Sequence, residues 1–132
     1  MKANELMIGD WVRVYIEDDD PAQCGHVTCR VENINDFGDV STRGNDYREE
    51  NIEPVELTAD ILEKNGYKDN GGLMYIQYLM EKDGRCRVSI IEANGGYSVM
   101  VNSILCSPKA IHYVHELQHA LRLCGIEKEV VL

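Results

Sequence analysis

Residues 73–105 read LMYIQYLMEKDGRCRVSIIEANGGYSVMVNSIL, and their punctuation decides the fold. Asp83-Gly84 and Asn94-Gly95-Gly96 interrupt three apolar runs at places where tight hairpins require residues with positive φ. This predicts strands over about 73–81, 85–93 and 97–105. In the second run Cys86, Val88 and Ile90 share one face while Arg85, Arg87 and Ser89 share the other; in the third, Tyr97, Val99 and Val101 alternate with Ser98, Met100 and Asn102. The three-stranded β-meander thus has one wet face and one face that needs a cover.

The cover is expected on the C-terminal side. Ser107-Pro108 is a helix start signal, with serine as the cap and proline at the first helical position, and Gly125 is a stop, so a long C-terminal helix is expected over about 108–124. At about 100° per residue, Tyr113, Val114, Leu117, Ala120, Leu121 and Cys124 fall on one side, a stripe wide enough to lie on the meander. Residues 126–132 read as a short terminal strand or extended tail. On the N-terminal side, Thr58 as cap, Asp60 in the first turn and Gly66 as stop predict a short helix of about two turns.

Before the joint at Pro54-Val55-Glu56-Leu57 the chain reads as short strands: Trp11 to Ile16, His26 to Val31, Val40 to Arg43 and Tyr47 to Val55, separated by turn residues. Four or five such strands in about 55 residues suggest a small antiparallel, SH3-like β-barrel, because closure removes raw sheet edges. The expected architecture is therefore α+β: residues 1–56 as an acidic small β-barrel module and 57–132 as an α-β-β-β-α module.

A chain of 132 residues with 44% hydrophobic and 27% charged residues has the composition of a soluble globular protein, and its longest apolar runs fall far short of the roughly 20 residues a membrane helix needs. No basic segment leads into an apolar one at the start, so no signal peptide is read and a cytoplasmic protein is expected. The net charge of −10 is uneven: residues 1–56 hold five Lys/Arg against fourteen Asp/Glu, residues 57–132 eight against nine. That sign repels phosphate backbones, and no run of Lys/Arg offsets it, so direct nucleic-acid binding is not expected. An acidic module can instead meet a protein partner or imitate nucleic acid. The five cysteines, Cys24, Cys29, Cys86, Cys106 and Cys124, are scattered and are expected as reduced, packed thiols. Neither Cys24-Gly25-His26-Val27-Thr28-Cys29 nor Glu17-Asp18-Asp19-Asp20-Pro21 has the spacing of a metal site: the first lacks close cysteine pairs, the second the alternation that wraps oxygens round calcium.

One motif carries chemistry. His115-Glu116-Leu117-Gln118-His119 is H-E-x-x-H, in which residues four apart on a helix offer two imidazoles to one zinc and the glutamate serves as base toward a zinc-bound water. A catalytic zinc needs a third ligand. The extended motif fails, with Arg122 in place of its glycine and Gly125 in place of its third histidine, and only Glu127 and Glu129 follow as carboxylates. At this composition the pattern arises by chance in about one chain in a hundred. His112, His115, His119 and Arg122 are read instead as the solvated face of the helix.

The opening MKANELMIGDWV, the joint NIEPVELTADILEKNGY and the ending YVHELQHALRLCGIEKEVVL resemble a family of short uncharacterised proteins of gut Bacteroides and their phages and prophages. The resemblance covers both ends and the central junction. It implies no activity, since none is established for that family, and many of its members carry asparagine at the position matching His119. The expected function is that of a non-enzymatic accessory or protein-interaction protein of a bacterial mobile element, with an unknown protein partner, no cofactor and no catalytic or metal residue. One alternative is a minimal zinc-dependent hydrolase with His115 and His119 as ligands and Glu116 as base. The other is an acidic nucleic-acid mimic that inhibits a host enzyme.

Overall fold

The computed structural model describes residues 1–81, 84–107 and 109–132. The backbone gathers into two compact units, Met1–Val55 and Glu56–Leu132.

In the first unit β1 (Trp11–Ile16) runs antiparallel between β2 (Gly25–Arg30) and β6 (Ile52–Pro54), with Val12 opposite Cys29 and Pro54. A separate three-stranded sheet is made of β3 (Asn33–Ile34), β4 (Val40–Thr42) and β5 (Asn45–Tyr47), also antiparallel. The expected closed SH3-like barrel is therefore absent; two small sheets share one core. Strands of two or three residues offer too few ladder bonds to close a ring, and a 3-10 turn at Glu49–Asn51 separates β5 from β6. The sheets are stitched locally, by the Glu32 amide donating to the Ser41 carbonyl at 2.9 Å and the Thr42 hydroxyl to the Arg30 carbonyl at 2.6 Å. Ala3, Leu6, Val12, Val14, Val31, Val40 and Ile52 form the core. Beside it Asp10 is buried in the turn that opens β1, its carboxylate accepting from the Met7 amide at 2.7 Å.

The second unit is a five-stranded antiparallel sheet in the order β11-β10-β9-β8-β7. Its centre is β8 (Met74–Glu81), β9 (Gly84–Ala93) and β10 (Gly96–Val101); the edges β7 (Lys68–Asp69) and β11 (Ile104–Leu105) have two residues each. Asn94 and Gly95 both take positive φ, 54° and 77°, as a two-residue hairpin between right-twisted strands demands. Of the other expected turn only Gly84 can be placed, because Asp83 lies outside the described residues. Cys86, Val88, Ile90 and Val99 are buried on one face of the sheet, opposite exposed Arg85 and Arg87 on the other.

The helices are short, and the chain is mostly β rather than evenly α+β. Helix α1 (Ala59–Lys64) starts at Thr58, whose hydroxyl accepts from the Ile61 amide at 3.3 Å. Helix α2 spans only Val114–Leu123, so the long helix expected from residue 108 is not formed. Pro108 lies outside the described residues, but the cause is visible on both sides of it. The Ser107 hydroxyl accepts from the Val99 amide at 3.0 Å and so serves the strand β10 instead of a helix cap. Beyond it the backbone stays extended. Tyr97 and Ile111 exchange both N–H···O bonds at 2.8 Å, and the Leu57 amide donates to the His112 carbonyl at 2.9 Å. Sheet-like pairing thus overrides the local serine-proline signal. Gly96 sits where this segment crosses, and a β-carbon there would lie 2.9 Å from the Ile111 carbonyl oxygen.

Candidate functional site

The H-E-x-x-H residues lie in the first two turns of α2, and the fold uses them. Glu116 is the third residue of the helix, and its Oε1 accepts from the backbone amides of His112 at 3.0 Å and Tyr113 at 3.2 Å. A carboxylate at this position satisfies helix-start donors that have no intrahelical partner and complements the positive end of the helix dipole. His115 is buried, with 6% of its surface exposed. Its ring stacks on Tyr113 at 5.9 Å and meets the edge of the His119 ring at 5.6 Å. His119 is half-buried beside a shallow cleft of about 220 Å³ that also touches Cys106, Glu116 and Leu123.

The expectation of a solvated His112–His115–His119–Arg122 face is corrected at His115, and Gln118 is buried with it. Burial at Val114, His115, Leu117, Gln118, Ala120 and Leu121 spans an arc of about 220° at 100° per residue, about twice the minimal stripe of a surface helix. His112 and Arg122 are exposed. Glu127 and Glu129, the remaining carboxylates that could have followed as a third ligand, lie exposed in the tail. Among the described residues no group of three or more His, Cys, Asp or Glu side chains is placed to hold a metal ion.

The other candidate donors diverge. Cys24 turns to the acidic loop, its Sγ 3.3 Å from both the amide and the carbonyl of Asp18. Cys29 is buried in the core, and His26 faces Glu53 with Nε2 to Oε1 at 3.3 Å. Within the loop, Asp18 accepts from the Asp20 amide and Asp20 from the Ala22 amide, at 2.9 and 3.0 Å, so these carboxylates shape local turns.

The structure also corrects the cysteines. Cys106, just after β11, and Cys124, at the end of α2, form a disulfide with Cα atoms 6.8 Å apart, while Cys24, Cys29 and Cys86 are in no disulfide. The bridge brings three exposed apolar side chains to its two ends: Ile104, Leu105 and Leu123, with 70%, 57% and 82% of their surface exposed. This apolar edge was not foreseen, because 18 residues separate the two cysteines and the patch exists only once they meet. A second feature was missed for the same reason. Lys68 on β7 and Arg87 on β9 flank β8 and line one cleft with Tyr78.

No helix among the described residues is long and apolar enough to cross a membrane. The chain matches no protein-family model, no curated protein and no solved structure.

Proposed function

We propose that the chain is a non-enzymatic accessory protein that works in the cytoplasm by protein contact, of the kind encoded by a bacterial mobile element. The observation that carries this reading is the apolar edge. Isolated exposed leucines are ordinary, whereas Leu105 and Leu123 adjoin the bridged Cys106 and Cys124, and exposed Ile104 stands on the other face of the same two-residue edge strand. Unpaired backbone on such an edge, beside apolar side chains, offers a partner both ladder bonds and buried area. The engagement of Glu116 in the start of α2 supports the same reading, since its Oε1 holds two backbone amides at the helix start. In a reducing cytoplasm the cysteine pair would stand as two thiols, still adjacent.

Site-specific photo-crosslinking in bacterial cells tests this. A photoreactive residue in place of Leu105 or Leu123 is expected to give a discrete adduct with one protein. The adduct should be absent when the probe replaces exposed Phe37 in the first unit, and lost when Ile104→Asp is added. Adducts that are equally frequent at Phe37, or none at Leu105 and Leu123, would contradict the proposal.

A further inference from the structure

We infer that the outer face of the five-stranded sheet docks an amphipathic helix of a partner protein, one whose apolar stripe is bordered by Asp and Glu. This face meets the apolar edge described above at Leu105 alone, and the inference does not depend on that edge. Register defines it. Across the sheet, Lys68 pairs with Ile76, Ile76 with Ser89, Ser89 with Met100 and Met100 with Leu105, and directly opposed residues point the same way. Two residues along the strands in one direction Tyr78 stands opposite Arg87, and two further on Met80 stands opposite Arg85; in the other direction Met74 stands opposite Ile91. These four rows are about 7 Å apart and the strands about 4.8 Å apart, so the patch is roughly 20 Å long and, over β8, β9 and β10, roughly 10 Å wide.

Its composition is wrong for a face that only meets water. Antiparallel sheets commonly bury one face and turn polar side chains outward on the other. The inner face obeys, with Cys86, Val88, Ile90 and Val99 buried. On the outer face, however, β8 presents Met74, Ile76, Tyr78 and Met80 in succession, with Tyr78 54% and Met80 81% exposed, and β9 and β10 add Ile91 and Met100. Three of the five methionines of the chain are therefore on this one surface. Unbranched thioether side chains adapt their shape to what they touch, which suits them to peptide-binding surfaces.

The charges choose the partner. In a chain of net charge −10, the charged residues at the paired positions of this face are Lys68, Arg85 and Arg87, all exposed, with no Asp or Glu among them. Arg87 donates to the Ser103 hydroxyl at 2.9 Å, and the Arg85 guanidinium lies over the Tyr78 ring at 4.1 Å; both contacts are with neutral groups and leave the positive charge uncompensated. An apolar surface bordered by cations complements a helix whose i, i+3, i+4, i+7 stripe is flanked by carboxylates. The dimensions agree, since a helix is about 10–12 Å thick and four turns of it span about 20 Å. The other occupants fit less well. Two copies joined through this face would set cation against cation. A nucleobase would find one aromatic ring, Tyr78, on which Arg85 already lies. A nucleic acid or an anionic bilayer extends far beyond the Debye length of about 8 Å and would meet the acidic excess of the chain, whereas one helix meets chiefly the face itself.

Selection from a displayed library of random peptides of about 15 residues, four helical turns, on the full-length protein tests the inference, followed by NMR titration of the enriched peptides into protein carrying methyl-labelled methionine. The enriched peptides are expected to be acidic, with apolar residues at helical spacing, and to shift the methyls of Met74, Met80 and Met100, with Met1 and Met7 of the first unit as references. Arg85→Glu combined with Arg87→Glu should weaken binding at least about tenfold, and Arg85→Lys combined with Arg87→Lys should largely retain it. Both variants should stay folded because the two side chains are exposed. The inference is overturned if the selection yields no binder or only binders without acidic residues, or if the double Glu variant binds like the wild type. It is also overturned if the peptides leave all three methyls unmoved; a peptide that instead reaches only Ile104 and Leu123 would sink this inference and leave the edge in use. Equally contrary would be a single-stranded oligonucleotide, a phosphatidylserine vesicle or raised protein concentration that shifts these methyls where no peptide does.

Discussion

Asn65 shows how one side chain can hold distant parts of a unit together. Its Nδ2 donates to the carbonyls of Ile61 at 2.8 Å and Val131 at 2.7 Å, and its Oδ1 accepts from the Val131 amide at 2.8 Å, while the residue is buried. Asn65→Ala removes three side-chain bonds and leaves the Val131 amide and carbonyl without them, so a loss of about 1–2 kcal/mol is expected in urea unfolding; a loss under about 0.5 kcal/mol would show that the tail is not anchored there. Tyr67, two residues on, gives a pH signature. Burial, with a smaller contribution from nearby Cys86, pushes its phenol well above the ordinary value of 10.0. The unfolded chain ionises first, so stability is full below pH 10 and falls as the pH rises above it. Tyr67→Phe should flatten the decline in denaturant midpoint above pH 10, and an unchanged decline would place its origin elsewhere. At this scale the sequence was partly legible. Asn65-Gly66 marks the end of a helix by its residue types alone, but the bonds to Val131 cross 66 positions and leave no local pattern.

Among the elements, the hairpin β9–β10 was the most legible, since Asn94-Gly95 declares its own backbone conformation. The edge strands β7 and β11 were not, because two residues cannot show a period of two. Nor was the true start of α2. Ser107-Pro108 has the right local chemistry, yet the bonds to Val99, Tyr97 and Leu57 hold the following segment extended as far as Tyr113, which bridges Glu56, and the helix begins only at Val114. Glu116 then acts as its cap. Glu116→Ala is expected to destabilise the protein by about 1 kcal/mol, and Glu116→Gln by less, in the same urea assay. At the other end of α2 the Cys106–Cys124 bridge closes a loop with a sequence separation of 18. On the chain-entropy view its loss removes about 3 kcal/mol, so reductant should lower the melting temperature of the wild type and leave Cys106→Ser unaffected. Equal sensitivity of both proteins would mean that the bridge does not form in solution.

At the scale of the whole molecule, composition announced a folded chain and an acidic first half, and the joint near residue 55 separates units that differ in sheet architecture. The barrel was misread because short strands with turn residues between them satisfy the same pattern whether or not the ladder closes. Charge was informative as a total and misleading in detail. Counting along the chain finds no Lys/Arg run, whereas folding brings Lys68 and Arg87 to one cleft. The zinc motif was legible as a string, but its use was not, because capping by Glu116 and burial of His115 depend on the extended segment before the helix. The central claim is that this helix serves the fold and the chain acts by contact. Native mass spectrometry of protein purified without a histidine tag and incubated with zinc tests it most directly. The predicted result is the mass of the bare chain, identical in occupancy for wild type and His119→Asn; one zinc per chain, lost in the variant, would contradict it.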